Sequence, residues 1–480
     1  MTRNLQQKIR ILTTLIIATT MSQTGCQTGT ATGQASSAQE KFSGTEKQLT
    51  HGPSGRIITN TGVWSPDGKW IVYDTRIDGL GDGFNGEFIR MVNVESGEVK
   101  DLYQSRNGAY CGVVTFHPTQ KKVVFILGPE NPTADWLYGP FHRQGVIVSA
   151  KERAGRNPLI NLDARDLTPP FTPGALRGGS HVHVWDAAGE WVSFTYEDHV
   201  LAQFKEATAG NDVNLRNIGV SVPNRAVHVS RDHPRNHDGD YFTVIVARTV
   251  ANPKPDSDEI KKAYEEGWVG AKGYQRADGT WQRRALAFQG DVVTRDGKTI
   301  SEVFMVDLPE ELTQPGDGPL AGTETRIPFP PKGCSQRRLT FTADRKFPGL
   351  QGPRHWLRSS PDGSRIAFLM KDYSGVVQLW TVSPNGGSPE QMTRNDWSIA
   401  SAFTWSPDGR HIAHAMDNSV CLTDVATGKT KRLTARTEDA LAPRPEACVF
   451  SPDGKKVTYM RRLGESDQAF NQIFVVSVHD

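Results

Sequence analysis

A tetrapeptide that recurs along the chain constrains the fold more than any other feature. Ser-Pro-Asp-Gly begins at Ser65, Ser360, Ser406 and Ser451, and the last three copies stand 46 and 45 residues apart. Proline fixes its own φ and Asp-Gly favours a tight turn, so the tetrapeptide is typical of a connection between two antiparallel strands. An alternating apolar segment follows each copy. This spacing is typical of a four-stranded propeller blade.

Three weaker copies raise the number of predicted blades to seven. Two degenerate turns are expected at residues 116–118 and 185–189. The weakest is His237-Asp238-Gly239, ahead of the apolar residues 242–247. A seven-bladed β-propeller is therefore the predicted fold.

The two ends of the repeat region predict how the ring closes. A triplet of the type Arg-Leu-Thr follows three of the blades, at residues 338–340, 391–393 and 432–434, but none follows the turn at Ser451. A similar segment, residues 47–50, stands before the first turn, where no earlier blade exists. We therefore expect this N-terminal strand to complete the last blade and hide the edges of the ring.

One segment, about residues 250–335, departs from the repeat and is predicted to be a decorated fourth blade. Ser257 can cap a short helix that runs to Glu266, and Gly267 can terminate that helix. The propeller as a whole is expected to span residues 46–480.

The first 26 residues are typical of an export signal. Arg3, Lys8 and Arg10 precede a short apolar stretch that is too short to stay as a spanning helix, and Gly25-Cys26 follows. This end resembles the bacterial lipoprotein cleavage box, although Gln23 stands where that box normally has leucine. Residues 27–45 are mostly small and polar and are predicted to be a flexible tether. We expect a periplasmic or outer-membrane-anchored lipoprotein, with plain secretion as the alternative.

The charge of the chain argues against a nucleic-acid partner. The formal net charge is +2, from 55 basic and 53 acidic residues. No basic stripe or excess of cations is present to bind a polyanionic backbone. Membrane contact is therefore expected only through a lipid anchor.

Aligning the turns predicts which residues surround the channel. The residue five places before each turn serine, or its equivalent, lies where the innermost strand begins, at the end of the channel opposite the turns. These seven residues are Asn60, Gly112, His181, Arg231, His355, Ser401 and Glu446.

Histidines in this alignment suggest a divalent metal. His181 and His183 are two apart on a predicted strand, where alternate side chains point the same way and two imidazoles can reach one ion. His355 occupies the position equivalent to His181 in another blade and is the expected third ligand. A hydrogen-bonded structural pair is the alternative for His181 and His183.

Several longer motifs carry a family resemblance over about residues 50–480. They are GVVTFHP (112–118), GPENP (128–132), TPGALRGGSHVHV (172–184), FTYEDHV (194–200), AYEEGWVG (263–270), QRRLTFT (336–342) and PRHWLR (353–358). With these motifs the chain resembles the YidR family of TolB-like propellers. The resemblance implies the TolB-type fold and brings no reaction with it. More distantly the chain is similar to oligogalacturonate lyases, propellers that hold a divalent metal through histidines at the channel mouth.

Two functions follow as alternatives. The first is a metal-assisted lyase or hydrolase that acts on an acidic oligosaccharide. Its catalytic residues would be His142, His199, Arg177, Arg231 and Arg354, because histidine titrates near neutrality and arginine pairs with carboxylates. The second is a non-catalytic propeller that binds an envelope protein or a ligand.

Overall fold

The computed structural model describes residues 42–78, 81, 83–151, 158–203, 215–465 and 468–479. The predicted signal peptide and nearly all of the tether lie outside these residues. The described chain forms seven four-stranded antiparallel sheets, so the seven-bladed propeller is confirmed. Within the described residues, no helix is long and apolar enough to cross a membrane.

The strands of each blade are given from the channel outwards as inner, second, third and outer. Blade 1 contains Gly55–Ile57, Trp70–Arg76, Phe88–Asn93 and Val99–Gln104. Blade 2 contains Cys111–Phe116, Lys122–Leu127, Gln144–Ser149 and Ile160–Asn161. Blade 3 contains Gly178–Trp185, Val192–Asp198, Asn217–Val222 and Phe242–Ile245. A short helix, His199–Gln203, follows the second strand of blade 3.

Blades 4 to 7 make up the second half of the ring. Blade 4 contains Ala263–Trp268, Arg284–Val293, Thr299–Leu308 and Ser335–Arg338. Blade 5 contains Arg358–Ser359, Ile366–Lys371, Val377–Val382 and Glu390–Gln391. Blade 6 contains Thr404–Trp405, His411–Met416, Ser419–Asp424 and Thr430–Arg432. Blade 7 contains Pro443–Phe450, Lys456–Leu463, Phe470–Ser477 and, as its outer strand, Glu46–Gln48.

Outside the blades, the described residues also form two small sheets and a 3-10 helix. Ala164–Arg165 pairs with Ala175–Leu176 in parallel, and Tyr274–Gln275 pairs with Trp281–Gln282 as a hairpin. The 3-10 helix is Asp439–Leu441.

The predicted ring closure is confirmed by the pairing of the outermost strand of blade 7. Glu46–Gln48 runs antiparallel to Phe470–Ser477, with Glu46 opposite Val476. The amide of Leu49 continues the pairing by donating to the carbonyl of Ile473 at 2.8 Å. The ring is therefore closed by the first strand of the propeller, and the third strand of blade 7 is left without a free edge.

Each Ser-Pro-Asp-Gly turn is stabilised by hydrogen bonds among its own residues and the strand that follows. In the turn at Ser65, the serine hydroxyl donates to Asp67 Oδ1 at 2.6 Å and accepts from the Trp70 amide at 3.0 Å. Gly68 has φ +66°, a region that glycine enters without strain. The backbone amide of Ser65 donates to the carbonyl five residues later, and the same bond occurs in six of the seven blades. This shared bond confirms the alignment of turns in blades 1, 2, 3, 5, 6 and 7.

The prediction for blade 4 was wrong in two places. His237-Asp238-Gly239 is not its turn, because residues 223–241 form a long loop between the third and outer strands of blade 3. The predicted helix from Ser257 to Glu266 is also wrong, since Ala263–Trp268 is the inner strand of blade 4. The true turn spans residues 269–283 and carries the extra hairpin, so it has neither the tetrapeptide of blades 1, 5, 6 and 7 nor the degenerate turn of blades 2 and 3.

Candidate functional site

A cavity of about 630 Å³ opens at the end of the channel opposite the turns. Asn60, His181 and Glu446 line it, which confirms the alignment of blades 1, 3 and 7. Four arginines also line this channel mouth: Arg76, Arg143, Arg216 and Arg354. The cavity therefore presents more positive than negative side chains.

A β-bulge occurs at the same place in the inner strands of blades 2, 3 and 4. Val113, Val182 and Glu265 have φ values of +55°, +58° and +55°, and the strand register shifts around each of them. Each residue stands four places before the turn position. Bulges re-aim side chains at the rims of closed sheets and near functional sites. Three adjacent blades thus depart from regular alternation at the channel mouth.

His181 lies at this mouth with its ring almost fully buried and its Nε2 without a hydrogen-bond partner among the described residues. Burial lowers the pKa of His181 well below the usual range, and the nearby positive charges of Arg143, Arg216 and Arg354 lower it further. The imidazole is therefore neutral at physiological pH. The mouth thus combines the guanidinium groups of three arginines with the uncharged imidazole of His181.

The arginines of the mouth differ in how they are held. Arg76 pairs with Asp74 at 2.7 Å, Arg216 with Glu197 at 2.5 Å, and Arg354 with Glu265 at 2.8 Å. These buried carboxylates fix three of the guanidinium groups in place.

Arg143 is held differently, over aromatic rings. Its guanidinium lies 5.7 Å from the ring centroid of Phe84 and 5.1 Å from that of Tyr138. In the described part of the chain it forms no ion pair with a carboxylate. Arg143 is thus the mouth cation whose charge is least compensated.

Two of these arginines were missed by sequence reasoning, although a signal for them exists. Arg143 and Arg216 each stand immediately before the third strand of their blades, Gln144–Ser149 and Asn217–Val222. The same position in adjacent blades therefore supplies two cations to the mouth.

Glu265 and Glu266 were also missed, because their segment had been predicted to be a helix. Burial raises the pKa of Glu265 even though Arg354 is its partner. Burial raises the pKa of Glu266 to about 7, and its Oε2 accepts from the Thr195 hydroxyl at 2.9 Å. Thr195 is the strand partner of His181, so this carboxyl lies next to the strand pair that carries the histidine.

The predicted metal set does not assemble. The bulge at Val182 breaks the alternation, and His183 packs between blades 2 and 3 instead of beside His181. Its Nε2 lies 3.0 Å from the hydroxyl of Ser180, which in turn donates to Asp163 at 3.2 Å. No group of three His, Cys, Asp or Glu side chains among the described residues is placed to hold a metal.

His355 has a structural role that uses both of its ring nitrogens. Nδ1 donates to the carbonyl of Pro353 at 2.9 Å, and Nε2 accepts from the amide of Leu369 at 3.1 Å. In blade 6, Ser401 accepts from the amide of Ala415 at 2.7 Å in the same way. The side chain therefore replaces a missing strand partner, and its nitrogens have no lone pair left for a metal.

We predict that His355→Ala lowers the free energy of unfolding by about 1–3 kcal/mol, because the buried Leu369 amide loses its acceptor. His355→Ser is expected to lose less, since serine serves at the equivalent position of blade 6. Urea unfolding measures both, and His411→Ala at a turn is the matched control. Equal stability of the His355→Ala and control variants would contradict the structural role.

The remaining predicted catalytic residues lie outside the mouth. Arg177 is buried, with 1% of its side chain exposed, and pairs with Asp198 at 2.8 Å, so it is a structural residue. Arg231 lies in the long loop of blade 3, where its side chain is 63% exposed and pairs with Asp238. It was predicted to lie at the mouth because the alignment used the wrong turn for blade 4.

His142 and His199 come together, but with each other. Nε2 of His142 lies 3.1 Å from Nδ1 of His199, and Trp136 stacks on His142 at a centroid distance of 3.8 Å. Neither histidine lines the mouth cavity. Of the predicted catalytic residues, Arg354 alone lies at the mouth.

Comparisons with known proteins agree with this architecture. Residues 110–237 match the model of a protein family of unknown function, DUF3748. The chain is 46% identical over 418 residues to the uncharacterized protein YidR of Escherichia coli K12, covering 86% of this chain and 94% of YidR.

Among solved structures, an oligogalacturonate lyase in complex with manganese superposes with a TM-score of 0.51 at 10% identity, covering 92% of this chain and 96% of the lyase. TolB from Acinetobacter baumannii gives a TM-score of 0.33 at 14% identity, over 86% of this chain and 81% of TolB. The lyase supports the fold alone. The chain belongs to the YidR family, and its fold is a seven-bladed β-propeller.

Proposed function

We propose that the channel mouth binds a carboxylated oligosaccharide and cleaves it by β-elimination, with His181 as the base. The observation that carries this proposal is that Arg143, Arg216 and Arg354 line the same cavity as the neutral imidazole of His181, whose Nε2 has no hydrogen-bond partner among the described residues. Guanidinium groups are suited to bind a carboxylate through paired hydrogen bonds.

The reaction follows from this arrangement. A carboxylate held by the arginines acidifies the proton on the adjacent carbon, and the cations stabilise the negative charge that develops when His181 removes that proton. The electron pair forms a carbon–carbon double bond as the glycosidic carbon–oxygen bond breaks, and the departing oxygen takes a proton from water.

The bound anion also adjusts the base. In the free protein, burial and the positive arginines keep the pKa of His181 low. A carboxylate among those arginines offsets their charge and raises that pKa towards neutrality, because a nearby anion favours the protonated imidazole. The site would thus gain basic strength when an acidic ligand occupies it.

Trigalacturonate is the first probe, because a protein of the same fold is an oligogalacturonate lyase. Calorimetry should show binding of trigalacturonate and no binding of a neutral trisaccharide. Ultraviolet absorbance should report the new double bond. We expect His181→Gln to abolish product formation while binding persists, and Arg354→Gln to weaken binding about tenfold or more.

The control is Arg410→Gln, at the turn end of the channel, which should change neither binding nor turnover. Binding of the neutral trisaccharide as tightly as the acidic one would overturn the proposal. Unchanged turnover in His181→Gln would remove that residue from the mechanism.

A second candidate function is a binding platform without catalysis, for an envelope protein or a ligand. Three of the four mouth arginines already have buried carboxylate partners, an arrangement that also suits a rigid docking surface. Tight binding of acidic ligands with no product under any condition would favour this candidate.

A divalent metal remains a separate proposal, supported only by the manganese bound to the oligogalacturonate lyase of the same fold. His355 uses both of its ring nitrogens within the fold, and His183 uses Nε2, which lies next to the Ser180 hydroxyl, while its Nδ1 has no partner among the described residues. Because His183 does not lie beside His181, no catalytic step is assigned to a metal. Elemental analysis of purified protein tests for it, and loss of a bound metal in His181→Gln would make His181 a ligand.

We further propose that the protein is exported and lipid-anchored at Cys26, which rests on the sequence of the first 26 residues. Mass spectrometry of the protein from cell envelopes should find an N-terminal, lipid-modified Cys26. Cys26→Ala is expected to release the protein into the soluble fraction. An intact Met1 terminus would refute both export and anchoring.

A further inference from the structure

A second cavity, of about 470 Å³, opens beside the channel mouth at the ends of the strands of blades 1 and 2. We call it the rim cleft. Its apolar wall includes Leu102, Leu127 and Leu159. It shares no lining residue with the mouth cavity. The two cavities are therefore separate compartments.

Blade 2 forms the partition between them. On its second strand, Ile126 lines the mouth and Leu127 lines the rim cleft. Around the start of its third strand, Arg143 lines the mouth and Gln144 lines the rim cleft. Successive strand residues point to opposite faces of the sheet, so one thin edge divides the compartments. A ligand that crosses this edge can occupy both.

The charges of the rim cleft match those of the mouth. Arg106, Arg165 and Arg235 line it against the single carboxylate of Glu130. Among the described residues, none of these three arginines forms an ion pair. Arg165 and Arg235 are held by backbone carbonyls, at 2.5 Å from Arg143 O and 2.8 Å from Glu130 O. The backbone thus fixes both guanidinium groups in position, and the Asp163 carboxyl, which is close enough to favour the charge of Arg165, forms no ion pair with it.

A buried aromatic residue at the rim cleft lacks a polar partner. Trp136 is 5% exposed, and its indole N–H has no hydrogen-bond acceptor in the described chain. One face of the indole is covered by His142, and the guanidinium groups of Arg165 and Arg235 lie within 6 Å of its centroid. A buried donor without an acceptor is costly unless something supplies one.

We propose that the rim cleft binds a further acidic sugar unit of the oligosaccharide whose reacting unit occupies the mouth. This inference rests on the proposed function of the mouth. The cations of Arg106 and Arg235 would meet the carboxylate of that unit, and the leucine wall would cover the apolar face of its ring. The chain would cross the end of blade 2 over Arg143.

The test measures how affinity depends on ligand length. Calorimetry with di- and tetragalacturonate should show that the tetramer binds at least about tenfold more tightly. Arg106→Gln removes a cation, and Leu159→Trp fills the rim cleft without changing charge. Both variants should bring the affinity for the tetramer down to that for the dimer and leave dimer binding unchanged. Arg410→Gln should change neither.

The outcomes separate the two proposals. Retention of the full length dependence in Arg106→Gln and Leu159→Trp would overturn the rim-cleft site and leave the mouth intact. Tetramer binding that is lost in these variants but unaffected by Arg354→Gln would refute the mouth and keep the rim cleft. If the wild-type protein binds neither oligomer, both proposals fail.

Discussion

A chain that begins at His51 should lose several kcal/mol of stability relative to one that begins at Phe42. The shorter chain lacks the outer strand of blade 7, Glu46–Gln48, and the residue after it, Leu49, which is only 3% exposed. Removing a buried leucine side chain typically costs about 2–5 kcal/mol. The ion pair of Glu46 with Arg461, at 3.0 Å, is lost as well.

The same truncation uncovers the edge of Phe470–Ser477, and unpaired edges promote association between molecules. Thermal denaturation and size-exclusion chromatography should show a lower melting temperature and new oligomers. A synthetic peptide of residues 42–52 is expected to restore both properties. If the two chains melt at the same temperature, the closing strand contributes nothing to the stability of the ring.

Acidification should destabilise the fold strongly between about pH 6.5 and pH 4. Burial lowers the pKa of His183 and His237 to about 3 and that of His355 and His414 to about 4. Histidine in the unfolded chain has a pKa near 6.5. Below that pH the unfolded chain therefore binds protons that the folded chain does not bind, and this stabilises the unfolded state. The stabilising effect of these neutral histidines is complete above pH 6.5 and is lost as the pH falls.

Buried carboxyls oppose this trend, Asp163 and Glu266 among them. Burial raises the pKa of Asp163 to about 6 and that of Glu266 to about 7, so the folded state gains stability from their protonation as the pH falls from 7. Taken by themselves, these four histidines and two carboxyls give a loss on the order of 4 kcal/mol between pH 7 and pH 5.

Urea unfolding at several pH values measures this loss. His414→Gln, which keeps a polar group near Thr423, should flatten the pH dependence by roughly 1–2 kcal/mol over the same interval. His411→Gln, at the half-buried first residue of the second strand of blade 6, is the control for the effect of the substitution itself. A stability that stays constant from pH 7 to pH 5 would show that these histidines titrate normally.

The fold could be predicted from the sequence because the residues that form a blade turn are adjacent in the chain and are the same in several blades. The serine, aspartate and glycine of Ser65–Gly68 make the bonds and the φ angle that the turn needs. Blade 4 could not be predicted in the same way, because its turn holds an extra hairpin. In addition, His237-Asp238-Gly239 has the sequence of a blade turn but lies in the long loop of blade 3. Local signals reveal a repeat only where the repeat is not interrupted.

The candidate site could be predicted only in part, because bulges and substitute hydrogen bonds do not show in a strand pattern. Register correctly placed His181 at the mouth, but the positive φ of Val182 sends His183 elsewhere. His355 resembled a ligand because nothing in the sequence shows that it stands in for a backbone acceptor. Arg143 and Arg216 could have been assigned to the mouth only if the first residues of the third strands, Gln144 and Asn217, had been predicted.

The pairing of the first strand with the last has a consequence for how the molecule is made. Thr45 and Ser477, which hydrogen-bond at 2.8 Å, are 432 positions apart in the chain, so the first part of the propeller to be synthesised waits for the last. Contacts between such distant residues form late, because the chain between them must be ordered first. Ring closure therefore has to wait for Phe470–Ser477, and the channel mouth, which blades 1 and 7 both line, is complete only when the last blade is in place.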